Sequence, residues 1–209
     1  DFLGEQIKFY LNQYGNVLKD TSYGASVYSL QKTGVATVQT IISANITRLF
    51  QEGFSLLTYF GHSSPSTLEY NLSDPSSYPA IGKYPVLMVN GCQAGNMFLS
   101  NASRLTGDYI ITEKWVLTPE RGAVAFIASS HLGIVNYLHI YTEEFYNQLA
   151  KADGYGKSIG RIMMTSQELR TLTTRTIMVM ARAFKGMLTG SLIHCLVLAV
   201  LLVGSVMSW

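Results

Sequence analysis

The sequence is short of charge. Asp, Glu, Lys and Arg make up 13% of its 209 residues, about half the share usual in globular chains. The formal net charge is only +2, and the basic residues are scattered, so no strong field or basic stripe exists to hold nucleic acid. Cysteine is scarce too. Cys92 and Cys195 are the only two, which excludes a disulfide scaffold. The 5 prolines and 18 glycines follow no fixed period, so the chain is not collagen-like. There is no internal repeat, no G-x-x-x-x-G-K-[ST] and no G-x-G-x-x-G, the loops that cradle phosphates. His131 and His139 do not combine with the cysteines at ligand spacing, so neither a metal nor another cofactor is expected. With hydrophobic residues at 48%, the chain is not disordered. An enzyme, a packed binding module or a membrane-attached protein remains.

The charge shortage is uneven. Every acidic or basic residue lies at or before Lys185. Leu188 to Met207 then reads LTGSLIHCLVLAVLLVGSVM, long enough as a helix to cross a bilayer core of about 30 Å. Arg182 and Lys185 before it and Trp209 after it stand where interfacial anchors would. Residues 176–209 therefore read either as a membrane-associating tail, spanning through 188–207, or as a frame-shifted end. At the other terminus, Asp1-Phe2-Leu3-Gly4-Glu5 has neither a starting Met nor a basic signal region. That start reads as a segment of a longer protein.

Strand and helix signals alternate. Helical spacing of apolar residues runs over Phe2–Tyr14, with Gly15 and Asn16 as an interruption, and again over Thr37–Glu52, Tyr109–Leu117, Tyr137–Ala150 and Lys157–Leu169. Ser26–Leu30 is a short strand candidate. FSLLTYF at 54–60, PVLMV at 85–89 and GAVAFIA at 122–128 are largely apolar runs of strand length, the pattern expected of parallel strands buried on both faces. Residues 61–82 read as a long polar loop. The alternation predicts an α/β fold with a mainly parallel sheet covered on both faces, occupying residues 1–175 as one domain.

Two of these strand ends carry reactive side chains. FSLLTYF runs into Gly61-His62-Ser63-Ser64, and PVLMV runs into Asn90-Gly91-Cys92-Gln93-Ala94-Gly95. Ligands of open α/β sheets sit beyond the carboxyl ends of the strands. A histidine beside a cysteine there can yield a thiolate able to attack a carbonyl carbon. Gly91 and Gly95 would let the backbone turn sharply and let a substrate carbonyl approach the amides. Backbone N–H groups near Cys92, at Gly91 and Cys92, would then hold the developing oxyanion. His131, following the third apolar run, can face the same cleft, and Glu113 is a second substrate-side candidate. Asp74, Asp108 and Glu113 are the acids that a pocket for basic side chains could draw on. Gly61-His62-Ser63-Ser64-Pro65 fails as a G-x-S-x-G nucleophile elbow, because Pro65 stands at the last glycine.

The three stretches Glu52–Ser64, Asn90–Gly95 and Gly122–Ser129 together resemble the gingipain family of cysteine peptidases. The closer likeness is to the gingipain-like domains of type IX secretion sortases and related surface proteins of Bacteroidetes. The resemblance covers roughly residues 1–170. It implies a caspase-like three-layer α/β sandwich, incomplete on its N-terminal side. It also implies His62 as general base, Cys92 as nucleophile, an oxyanion hole from the amides of Cys92 and of Ser63 just after the histidine, and a further carboxylate upstream of Asp1. The clan carries Gly directly after its histidine, where this chain has Ser63. By resemblance, the substrate is a protein or peptide, the partners include type IX secretion components, and the location is secreted or on the cell surface at the outer membrane. The other reading is a catalytically silent surface module for binding or scaffolding.

Overall fold

A computed structural model of the chain describes residues 2–20, 23–32, 36–79, 81–99, 102–107 and 109–173. The apolar stretch 188–207 and Cys195 lie outside these residues, as does Asp108. Among the described residues, no helix is long and apolar enough to cross a membrane. The chain forms two compact units, one from residues 2–29 and 135–173 and the other from residues 30–134.

The second unit holds the sheet. Its elements are α2 (Ala36–Glu52), β1 (Leu56–Phe60), β2 (Val86–Asn90), α3 (Ile111–Leu117) and β3 (Ala125–Ala128). The three strands are parallel in the order β1-β2-β3. All five residues of β2 are buried, which is why PVLMV shows no apolar–polar alternation: a central parallel strand has no wet face. Leu87 and Val89 of β2 join Phe126 and Ala128 of β3 in one core with Ile42, Ile46 and Phe50 of α2 and Ile111 and Trp115 of α3. α2 ends at Gly53, whose φ of +88° and N–H bonded to the Leu49 carbonyl at 2.8 Å suit a helix C-terminus.

The connection from β1 to β2 is a loop, as its composition predicts, but its apolar residues are not spent on solvent. Leu68, Leu72 and Tyr78 from it are buried in the same core. The Tyr78 ring stacks on Phe50 at 4.1 Å, and Phe50 stacks on Trp115 at 5.4 Å. The Trp115 Nε1–H donates to the Leu72 carbonyl at 2.8 Å, which gives the buried indole its partner and ties the loop down. A short 3-10 turn at Pro75–Ser77 is capped by Asp74, whose side chain accepts from the Ser76 amide at 2.8 Å.

The first unit is helical: α1 (Phe2–Lys19), α4 (Val135–Ala150) and α5 (Ile159–Thr173). α1 and α4 meet along a polar aromatic seam. Tyr10 stacks flat on His139 at 3.5 Å, and the Tyr14 hydroxyl and His139 Nδ1 are hydrogen-bonded at 2.8 Å. Two sequence expectations fail in this unit. α1 does not stop at Gly15 but runs on to Lys19. Glycine inside a helix costs about 1 kcal/mol. Here the missing side chain makes room for Val27, whose Cγ1 would lie 3.3 Å from a Cβ at Gly15. Among the described residues, the segment 26–30 forms no strand of the sheet. It is extended chain; Val27 packs beside Gly15 of α1, Tyr28 is exposed, and Leu30 packs against the core of the sheet-bearing unit.

Candidate active site

β1 and β2 are paired residue for residue from Leu56↔Val86 to Phe60↔Asn90, a constant offset of 30. His62 and Cys92 differ by the same 30, so each stands two residues beyond the last paired position. The ladder continues past the strands, because the Gly61 amide donates to the Asn90 carbonyl at 3.0 Å. The Ser63 hydroxyl then donates to the Cys92 carbonyl at 2.7 Å. Backbone and side-chain bonds therefore hold the histidine-bearing and cysteine-bearing segments in step on both sides of His62 and of Gly91. A glycine at position 63 could not make the second of these bonds.

The close approach explains Gly91. A Cβ there would lie 2.7 Å from the Gly61 carbonyl oxygen and 2.9 Å from Ser63 Cβ, and would overlap Ser63 Oγ. Gly91 does not adopt a positive φ; the left-handed residue of the turn is Gln93, at φ +57°. A non-glycine residue in that region is uncommon and costs of order 1 kcal/mol. Neighbouring bonds hold it. The Gln93 amide donates to the His131 carbonyl at 2.8 Å, the Gly95 amide to the Ser129 carbonyl at 2.9 Å, and Thr112 Oγ1 to the Ala94 carbonyl at 2.8 Å. The turn is thereby clamped to the segment after β3 and to the start of α3.

Cys92 is a free, half-buried thiol, and the Gly133 amide donates to its Sγ at 3.4 Å. His62 is exposed and lines an open hollow of about 250 Å³ with Ser63, Ser64, Thr67, Leu68 and Glu69. All six walls come from the loop that follows β1. The Tyr59 hydroxyl donates to the His62 carbonyl at 2.6 Å. Burial pushes the Tyr59 phenol well above its ordinary value, so it stays protonated and keeps that bond. Glu69 pairs with Lys32 at 3.0 Å, a bond that raises the Lys32 ammonium above its usual value.

The remaining candidates are placed as follows. His131 follows β3 in the same step that Cys92 follows β2, since β2 and β3 pair with an offset of 39. It is exposed, and its main chain is bonded to Ser129 and Gln93. Glu113 is half-buried at the start of α3. Its carboxylate takes the Arg104 guanidinium at 2.6 Å and the Ile110 amide at 3.1 Å. Asp74 is occupied by the Ser76 hydroxyl and amide, which hold its carboxyl below the usual range. Among the described residues, no group of three or more His, Cys, Asp or Glu side chains could hold a metal ion. Sequence reasoning missed Gly133 and Tyr59. Backbone amides leave no residue-type signal, and a tyrosine inside an apolar run reads as core.

The sequence model of peptidase family C25 matches residues 4–187. The chain belongs to that family. No curated protein matches it. Two solved structures share its fold. One is the complex of the pro- and mature domains of RgpB from Porphyromonas gingivalis, with a TM-score of 0.61 at 16% identity over 78% of this chain. The other is the Arg-specific cysteine proteinase gingipain R, with a TM-score of 0.63 at 18% identity over 79%. The caspase-like α/β architecture expected of the C25 family is thus the architecture found. In both cases the match spans only 37% of the gingipain chain.

Proposed function

We propose that this C25 chain carries the histidine and cysteine of a cysteine peptidase that cleaves protein or peptide substrates, with His62 as general base and Cys92 as nucleophile. The observation that supports it best is the equal two-residue overhang of His62 and Cys92 beyond adjacent, register-matched parallel strands. His62 takes the Cys92 thiol proton. The sulfur then forms a bond to the substrate carbonyl carbon, and the charge that develops on the carbonyl oxygen is held by amides at Cys92 and Ser63. The C–N bond breaks as His62 returns the proton to the leaving amine, leaving a thioester on Cys92. Water releases the acid product from that thioester. An acceptor amine in place of water gives transpeptidation, the sortase-like outcome. The motif likeness to type IX secretion sortases supports a secreted or cell-surface setting at the outer membrane with secretion components as partners, and residues 188–207 would supply membrane association.

The test is alkylation of Cys92 by iodoacetamide across pH, with Cys195 as internal control and His62→Ala beside the parent. The expected result is fast labelling of Cys92 at a pH of about 6, below the ordinary thiol value of about 8.5, and loss of that labelling in His62→Ala. Equal labelling of Cys92 and Cys195 in both proteins would overturn the dyad and favour a silent binding module.

A further inference from the structure

We propose that the main-chain amide of Gly133 is a positioning group for the Cys92 nucleophile; this rests on the reading of Cys92 given above. The segment after β3 is bonded twice to the cysteine turn: the Gly95 amide to the Ser129 carbonyl at 2.9 Å and the Gln93 amide to the His131 carbonyl at 2.8 Å. It is also bonded to itself. The hydroxyl of the buried Ser129 donates to the His131 carbonyl at 2.9 Å and accepts from the His131 amide at 3.3 Å. Two residues on from this clamp, the Gly133 N–H points at Cys92 Sγ from 3.4 Å.

Three properties follow. A cysteine side chain has three staggered rotamers, and a donor fixed beside one of them selects it. A backbone donor held by its own loop needs no side chain ordered at the moment of reaction, the condition for effective electrostatic preorganisation. A sulfur anion is a stronger acceptor than a neutral thiol, so the bond tightens as His62 removes the proton. The same bond explains why the segment after β3 is clamped to the cysteine turn rather than left free. Its register step beside Cys92 is set by the strand pairing, and the Ser129 and His131 bonds carry that step on to Gly133.

The experiment uses the full chain with Cys195→Ser, so that Cys92 is the one thiol left. Gly133→Pro removes the N–H, and Gly133→Ala keeps it. A hydrogen bond to a charged acceptor is worth about a tenfold change in an equilibrium. Lower thiolate stability is partly offset by higher intrinsic nucleophilicity, so at neutral pH Gly133→Ala is expected to alkylate about three- to tenfold faster than Gly133→Pro. Equal rates in the two variants would overturn the proposal. Should Gly133→Pro fail to fold, the parent's own amide resonance decides. The Gly133 N–H signal is expected to move as Cys92 ionises and to lose that movement once Cys92 is alkylated. A Gly133 signal indifferent to both overturns the proposal. His62→Ala, measured alongside, separates the two ideas. A Gly133 effect without a His62 effect leaves the amide contact standing and sinks the dyad; the reverse sinks the amide role alone.

Discussion

Replacing Gly91 by alanine tests the geometry that holds His62 and Cys92 in step. The new methyl would press on the Gly61 carbonyl oxygen at 2.7 Å, on Ser63 Cβ at 2.9 Å and on Ser63 Oγ. Gly91 has no positive φ, so the penalty is steric rather than conformational. Overpacking of this kind costs about 1–3 kcal/mol. Driving the Ser63 hydroxyl off the Cys92 carbonyl, which it reaches at 2.7 Å, adds about 1 kcal/mol. The sum is about 2–4 kcal/mol, or a fall in melting temperature of about 4–16 °C. Ser63→Gly alone is expected to cost about 1 kcal/mol through the lost hydrogen bond. In the double variant two of the three clashes vanish, and only the Gly61 oxygen still crowds the methyl. The two substitutions should therefore be non-additive by about 1–2 kcal/mol, the double variant being more stable than the sum of the singles implies. Denaturant unfolding of the parent, both single variants and the double variant measures this coupling. Additivity within about 0.5 kcal/mol would refute the claim that Ser63 and Gly91 form one contact. Slowed iodoacetamide labelling of Cys92 in Gly91→Ala is the matching functional result.

Trp115→Ala removes a fully buried indole that stacks on Phe50 and donates to the Leu72 carbonyl; unfolding by denaturant should show a loss of about 3–5 kcal/mol, with protease sensitivity rising first in residues 61–82. Glu113→Ala leaves the Ile110 amide uncapped and the half-buried Arg104 guanidinium without its carboxylate; the expected loss is about 1–2 kcal/mol in the same assay. Tyr14, Tyr59, Tyr78 and Tyr141 all have phenols pushed upward, chiefly by burial. A raised folded-state value means that their contribution to stability is full below the unfolded value of about 10. It is lost as the pH rises above that. Alkaline titration should therefore show phenolate absorbance from these four appearing together with unfolding, and separate ionisation in a still-folded chain would contradict their burial.

Much of this protein is written in the chain itself. Three largely apolar runs specify parallel strands; β2, with all five residues buried, has no wet face and needs no polar alternation, whereas β1 buries only Tyr59 fully. The helices α2, α4 and α5 follow from apolar spacing alone. The candidate pair was legible because His62 and Cys92 each sit just past such a run, and chain direction alone places both at carboxyl ends. Tertiary structure decided the rest. The register of β1 on β2 depends on side-chain packing of both strands, and no local signal carries it, yet it puts His62 and Cys92 at equal steps. The left-handed turn falls at Gln93 rather than at a glycine, since the bond to the His131 carbonyl, 38 residues away in sequence, stabilises it. Gly15 does not end α1, because Val27 needs the space of a side chain there. Gly91 is required by the neighbouring Ser63, and the partner of Cys92 Sγ is an amide that any residue except proline would possess. Local propensity and hydrophobic period are properties of neighbours in sequence. Close approach, clamping bonds and the aim of a backbone N–H are properties of neighbours in space, and only the folded chain brings those together.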